Sequence, residues 1–368
     1  MNLYYYTTSE TMRYILTNGD IYATHVSYLN DSDEYINGLR ELRYMLREDV
    51  SEQNPFKDVA NRVLTDRAYE NESQNVPQIF SISFTQAPDL LSQWYMYSKE
   101  SGVRLKFRID EKEMSFKVKQ KKSTDGHSVF EDRKVKLQKV RYFTRMGMDI
   151  ADYTNEKQEI FNMIEEYMKD KAIENNQAGS ESDLEGNLIS IWKTIAPYIK
   201  NYEFRQEEEM RLVFRAEKTK EDKEDFIGYR NSKGVLIPYL DIYMEEGWPV
   251  TEIMIGPGRN QERVFRSICH FVENASIKIP SIDQQKGVGE FIDEMSKYQI
   301  SDDKIAEYKS KINELVKDQN IITYKDALYE SLLEVLKNGG EHEREYLNRN
   351  YYSKSGIIVR KSNAPYEF

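Results

Sequence analysis

The sequence predicts an α+β protein: a strand-rich core with flanking helices and a mostly helical block near the C-terminus. Three observations predict it. Short runs of β-branched and aromatic residues, such as "LYYYTT" and "PQIFSISFT", recur from residue 3 to about 280. Between them stand stretches with apolar residues at helical spacing. From 283 to 355 the strand signal fades, and charged amphipathic patterns take over.

Residues 3–8 read as a strand of β-formers. Ser9 is placed to cap the next helix, whose Met12, Ile15 and Leu16 hold one face until Asn18-Gly19 stops it. Residues 21–31 read as a strand running into a polar loop, and 33–70 as helix broken at Asn54-Pro55. A strong strand covers 77–85. Asp89 is then placed to cap a helix over 89–98. Residues 101–110 and 115–120 alternate as strands, with 135–143 as their partner. Ile160, Phe161, Ile164 and Met168 describe an amphipathic helix over 156–171. A loop at 175–187 leads into a helix over 188–200. A strand containing "FRQEEEMRLVFR" (204–215) follows, then strands at 233–242 and 250–258, the last ending in a Gly256-Pro257-Gly258 turn. Residues 261–272 read as helix, 275–282 as extended chain and 355–368 as strand-like. No internal repeat is evident.

Composition limits the function classes. With 39% apolar residues the 368-residue chain can bury a substantial core. A charged fraction of 31% and a mean hydropathy of −0.75 fit a soluble protein. No stretch approaches the ~20 apolar residues of a spanning helix, and "MNLYYYTTSE" lacks the basic-then-apolar order of a signal peptide. A single cysteine, Cys269, rules out an intrachain disulfide, and together these features point to a cytoplasmic protein. The net charge of −11 argues against non-specific nucleic-acid binding by the whole chain. Residues 117–145 oppose that trend, with ten Lys and Arg against three acids. They fit either a solvated hairpin or a phosphate-contacting patch.

Several catalytic patterns are missing. His25, His127, His270 and His342 are scattered without zinc spacing. Cys269 and His270 are helix neighbours that point apart, which disfavours a Cys–His nucleophile. Neither a nucleophile elbow nor a dinucleotide glycine fingerprint occurs. A metal-dependent nuclease stays open, because a carboxylate triad needs no local motif.

The "EEE" run at 207–209 has two local readings. As a strand, it sends Glu207 and Glu209 to one face with Arg211, while Met210, Leu212 and Phe214 pack on the other and Glu208 reaches solvent. Alternatively these acids are a charged strand edge, paired with Arg205 and Arg211.

A set of short motifs, in order, carries a resemblance. The chain has Tyr5-Tyr6-Thr7, Asn30-Asp31-Ser32-Asp33-Glu34 and Phe84-Thr85. Asp89, Leu91, Ser92, Gln93, Trp94, Tyr97 and Gly102 follow, then Lys200, Phe204, Glu207, Glu209, Arg211 and Leu212. Ile253, Ile255, Gly256 and Pro257 come next, with Ser362, Pro365 and Tyr366 at the end. In these it resembles the bacterial domain of unknown function 2971 family, departing at Ser32 (for Pro), Gln93 (for Met) and Glu367 (for a terminal Arg). The resemblance implies a core of 1–282 plus 356–368, with 283–355 as a helical insertion. It further implies a split β-sheet core like that of ADP-ribosyltransferases, and a toxin-like or phage-defence role.

On that resemblance the substrate is NAD and the catalytic pair is Glu209 and Glu207. Tyr5, Tyr6, Thr7, Ser83, Thr85, Tyr97 and Arg211 are implied to bind the dinucleotide, with no metal. Cleaving the nicotinamide–ribose bond passes through an oxocarbenium-like state, which a nearby carboxylate stabilises. A second carboxylate takes the proton of the incoming nucleophile. The macromolecular target, protein or nucleic acid, would dock through 117–145, and a protein partner through 283–355. Tyr5 stands where better-known members carry His, which favours the alternative of a non-catalytic sensor, antitoxin or adaptor.

Overall fold

A computed structural model describes residues 1–29, 33–47, 56–74, 78–98, 102–109, 113–119, 130–143, 150–174, 181–216, 226–280, 284–317, 332–333 and 336–364. Asn30, Asp31, Asn54-Pro55, Lys121, Lys122, Arg145, Pro365, Tyr366 and Glu367 therefore lie outside the described residues. The architecture is α+β. Its strands are β1 (Asn2–Thr8), β2 (Asp20–His25), β3 (Ile79–Thr85), β4 (Gly102–Arg108), β5 (Glu113–Lys119), β6 (Phe130–Lys139) and β7 (Arg141–Phe143). They continue as β8 (Ile199–Asn201), β9 (Glu209–Arg215), β10 (Ile227–Ser232), β11 (Val235–Tyr243), β12 (Val250–Ile255), β13 (Asn350–Tyr352) and β14 (Ile358–Lys361). The helices are α1 (Ser9–Asn18), α2 (Glu34–Arg47), α3 (Lys57–Val63), α4 (Asp66–Gln74), α5 (Ile150–Glu174) and α6 (Glu181–Ile195). After these come α7 (Gln261–Asn274), α8 (Gln284–Asp293), α9 (Asp302–Lys317) and α10 (Glu341–Arg349). The chain divides into two compact units that interleave in sequence. One comprises Met1–Asp20, Thr85–Asp110 and Met244–Phe368; the other comprises Ile21–Phe84 and Glu111–Tyr243.

In the first unit the strands run in the order β1-β4-β12-β14-β13. β4 pairs antiparallel with both β1 (Tyr5↔Leu105) and β12 (Ile253↔Leu105), while β12 and β14 are parallel (Ile253↔Val359). Helix α1 starts one residue earlier than expected: Thr8, not Ser9, is its cap and accepts a hydrogen bond from the Thr11 amide at 3.2 Å. Gly19, at φ 81°, ends it as the Asn-Gly signal predicts. The helical block at 283–355 belongs to this unit. There Phe291, Met295 and Tyr346 form a buried centre for α8 and α10.

In the second unit the strand pairings close on themselves, in the cycle β2-β3-β9-β6-β5-β11 and back to β2. Such a barrel leaves none of these six strands as an open edge over its paired length. β10 extends it as the outer arm of a hairpin with β11. A second core lies beneath α2, α3, α5 and α6, where Tyr35, Leu39, Phe161, Trp192 and Ile195 are buried. Burying each such side chain contributes roughly 1.5–3 kcal/mol. Gly38 lets α2 approach this layer, since a Cβ there would stand 2.3 Å from the Ala196 carbonyl oxygen.

Three further expectations change. Helix α6 begins at Glu181, inside the stretch read as loop, as suits an acid-rich "ESDLE" first turn. Pro197 then diverts the chain through a 3₁₀ turn into β8, so the helix does not run to residue 200. Residues Tyr202–Glu207 form a 3₁₀ helix instead of the start of the expected strand.

Candidate functional site

Five charged side chains of the second unit meet in one buried cluster. β8 supplies Lys200, the end of the 3₁₀ helix supplies Glu207, and β9 supplies Glu209 and Arg211; the first turn of α2 adds Glu34. The Lys200 ammonium lies 2.6 Å from Glu207 Oε2, 3.4 Å from Glu209 Oε1 and 3.3 Å from Glu34 Oε2. Arg211 donates through Nε to Glu209 Oε2 at 2.8 Å and through Nη1 to the Pro197 carbonyl at 2.5 Å. Its Nη2 reaches Glu209 as well, and stands 2.6 Å from Glu34 Oε1. The backbone amide of Glu209 donates to the Tyr142 hydroxyl at 2.8 Å.

The local fold explains this convergence, and it differs from the strand expected. Glu207 and Glu209 do not share a face through strand alternation. Glu208 between them adopts the left-handed conformation, φ 44° and ψ 49°, which turns the chain from 3₁₀ helix into β9. Glu208 itself is exposed, as expected. The other two acids are nearly inaccessible, Glu207 at 5% and Glu209 at 4% exposure. Nor does β9 have one apolar and one open face: Met210, Arg211, Leu212 and Phe214 are all buried. Arg205 is not the partner. It is exposed and lies over the Tyr202 ring at 4.4 Å.

Burial and charge act differently on Glu34 and Glu207. For Glu34, burial favours the protonated form, but Arg211 and Lys200 outweigh it and hold the carboxyl below its usual range. For Glu207 burial wins over the attraction of Lys200, and its pKa is raised. Burial would lower the Lys200 pKa, yet Glu209 and Glu34 overcome that and raise it, so it is charged at neutral pH. With the acids ionised, three carboxylates face two cations. Phe204, at 36% exposure, covers the cluster on one side, its ring centroid 4.8 Å from the Lys200 ammonium.

The remaining predicted site residues are distributed as follows. Ser83 is half-buried on β3 in the same unit as the cluster. Tyr5, Tyr6, Thr7, Thr85 and Tyr97 belong to the other unit. There Tyr6 is buried: its hydroxyl accepts from the Leu90 amide at 2.9 Å and donates to the Ala87 carbonyl at 3.3 Å. Burial pushes that hydroxyl up to about 12. Thr85 Oγ1 accepts from the Ala87 amide, and Tyr5 meets Phe107 edge-on with centroids 6.4 Å apart. Thr7 is buried, and Tyr97 is half-buried. A cavity of about 250 Å³ in this unit is lined by Lys297, Tyr298, Gln299, Glu345, Arg349 and Asn363, none of them a predicted site residue.

Other motif positions of the first unit meet around Asp89. This residue does not cap the helical turn at Leu91–Gln93, as expected, because no side chain does so. It accepts instead from Trp94 Nε1 at 2.6 Å and from Ser362 Oγ at 3.0 Å. The Ser362 amide donates to the Ile255 carbonyl at 2.8 Å. Gly256 faces the buried Trp94, where a Cβ would stand 2.8 Å from the indole. Asp89, Trp94, Gly256 and Ser362 thus form a structural tie between distant segments.

Sequence reasoning left Lys200 and Glu34 out of the site, although both stand in the quoted motifs. The usable signal was a lysine seven residues before an acid pair, because a buried acid pair demands cations. Among the described residues no group of His, Cys, Asp and Glu is arranged to hold a metal ion, and no helix is long and apolar enough to cross a membrane. No protein-family model, curated protein or solved structure matches the chain.

Proposed function

We propose that the chain is a cytoplasmic ADP-ribosyltransferase-like effector that uses NAD, of the domain of unknown function 2971 kind, with that family's core fold and a toxin or antiphage role. The observation that supports the reading is the convergence of Glu207 and Glu209 on Lys200, with Arg211 fixing Glu209. In this reading the bond between ribose C1′ and nicotinamide breaks, and nicotinamide leaves with the electron pair. A nucleophile on the target, or water, forms the new bond to C1′ and loses its proton to Glu207. Glu209, held by Arg211, provides fixed negative charge for the oxocarbenium-like state. The raised pKa of Glu207 suits proton transfer nearer neutrality than an ordinary carboxylate allows. Ser83, in the same unit as the cluster, remains a proposed dinucleotide contact, and the block at 283–355 the proposed site for a protein partner.

The test uses purified full-length protein, NAD labelled in its adenylate half, and cell extract. The expected result is labelled product or free nicotinamide, reduced at least about a hundredfold by Glu207→Gln, the range of a lost general base. No turnover by the unaltered protein, or full turnover by that variant, would sink the idea.

One observation favours a second, non-catalytic reading. Both carboxylates are engaged in ion pairs at 4–5% exposure. A sensor, antitoxin or adaptor needs only the rigidity such a cluster provides, and predicts a partner complex unaffected by Glu207→Gln and no NAD consumption.

A further inference from the structure

The basic segment around 117–139 takes on a definite form in the barrel. On β5, Ser115, Lys117 and Lys119 alternate with the buried Phe116 and Val118, so they share the outer face. Their partners across β6 are Lys134, Asp132 and Phe130, in that order. On the other side of β5, Lys117 stands opposite Tyr243 of β11. The same face of β11 carries Tyr239 and Ile237, the latter opposite Arg230 of β10. Two aromatic pairs result: Phe130 with Tyr243, centroids 5.1 Å apart, and Tyr22 of β2 with Tyr239, 4.1 Å apart. Both are tilted at 32°. Tyr239 and Tyr243 are four residues apart, about 13 Å along a strand.

We infer that this outer barrel face is a binding surface for single-stranded nucleic acid. Lys117, Lys119, Lys134 and Arg230 lie around the aromatic pairs, against the exposed acids Glu113 and Asp132, and Asp241 on the same face is buried. A local excess of positive charge in a chain of net charge −11 points to a localised anionic partner. The aromatics narrow the class. Phe130 is 39% exposed, and aromatic side chains beside lysines stack unpaired bases while the cations follow the phosphates. Bases paired within a duplex do not offer their faces in this way. The face needs no sequence code, because any base can stack, so the expected binding is salt-sensitive and tolerant of sequence. This inference does not rest on the NAD reading.

The experiment is fluorescence anisotropy of the full-length protein with a labelled 12-nucleotide mixed-sequence strand, as DNA and as RNA, and with the matching duplex. Binding of at least one strand at 50 mM salt is expected, about tenfold or more tighter than duplex. For three to four phosphate contacts, the log–log salt slope should be about −2 to −3. Phe130→Ala should weaken binding about fivefold or more, and Lys134→Gln should lower the slope by about 0.7. Tyr229→Ala, on the opposite face of the hairpin, should change nothing, with melting temperatures confirming that each variant folds. Absence of single-strand binding, equal duplex affinity, or variants at Phe130 and Lys134 that both bind as the unaltered protein does would overturn the inference. Glu207→Gln should bind the strand normally, so that failure of the chemistry and failure of this surface are separately visible.

Discussion

At the scale of single residues, Glu208 determines how the candidate site is built. A non-glycine residue in the left-handed region carries a conformational cost, and here it separates two buried acids that must both meet Lys200. The Glu208 side chain is exposed, so the backbone conformation at this position matters more than its charge. Glu208→Gly is therefore expected to raise the stability of the protein by about 0.5–1 kcal/mol, read as an increased denaturant midpoint. Glu208→Val, which crowds the same backbone, should lower it. A loss of stability in the glycine variant would mean that Glu208 makes an interaction beyond its backbone role. The sequence predicted the convergence of Glu207 and Glu209 for an incomplete reason. Alternation on a strand predicted that 207 and 209 would converge, but a 3₁₀ helix and a left-handed residue bring them together, and neither leaves a periodic signal.

At the scale of elements, legibility followed periodicity. Helix α1, with Met12, Ile15 and Leu16 on one face, stands within one residue of where the pattern put it, and strand β3, with its run of β-formers, matches its pattern. Strand β10 was missed because "IGYRNS" contains a glycine and polar residues and is mostly exposed; pairing with β11 alone makes it a strand. The role of Asp89 was also missed. An Asp before a helical pattern reads as a cap, and only the return of the chain at Ser362 gives it different partners. Gly256 shows what this tie demands. A methyl group there would press on the Trp94 ring and stand 3.2 Å from the Gly102 carbonyl oxygen. Gly256→Ala should thus cost roughly 1–3 kcal/mol, the range for overpacking a buried contact. Thermal melting checks this, and an unchanged midpoint would show that the indole can move aside.

At the scale of the whole molecule, composition defined the class and left the arrangement open. The α+β character was legible in alternating runs and helical spacing. The closed cycle of β2, β3, β9, β6, β5 and β11 was not, because closure depends on pairings between strands far apart in sequence. The division into two interleaved units is equally a matter of long-range pairing, and no composition shift marks it.

That interleaving sets an order of events during synthesis. All residues of the barrel unit have been joined once Tyr243 is in place. The other unit still lacks β12, the parallel partner β14, and the Ser362 that closes on Asp89. Domains generally fold as units while the chain emerges, so the inserted barrel should mature first, with the β1–β4 pair waiting for β12 and β14, which are made later. Ribosome-bound chains stalled far enough past Tyr243 to expose it should yield a protease-resistant barrel fragment. If such chains are digested completely, the barrel requires the rest of the chain before it can fold.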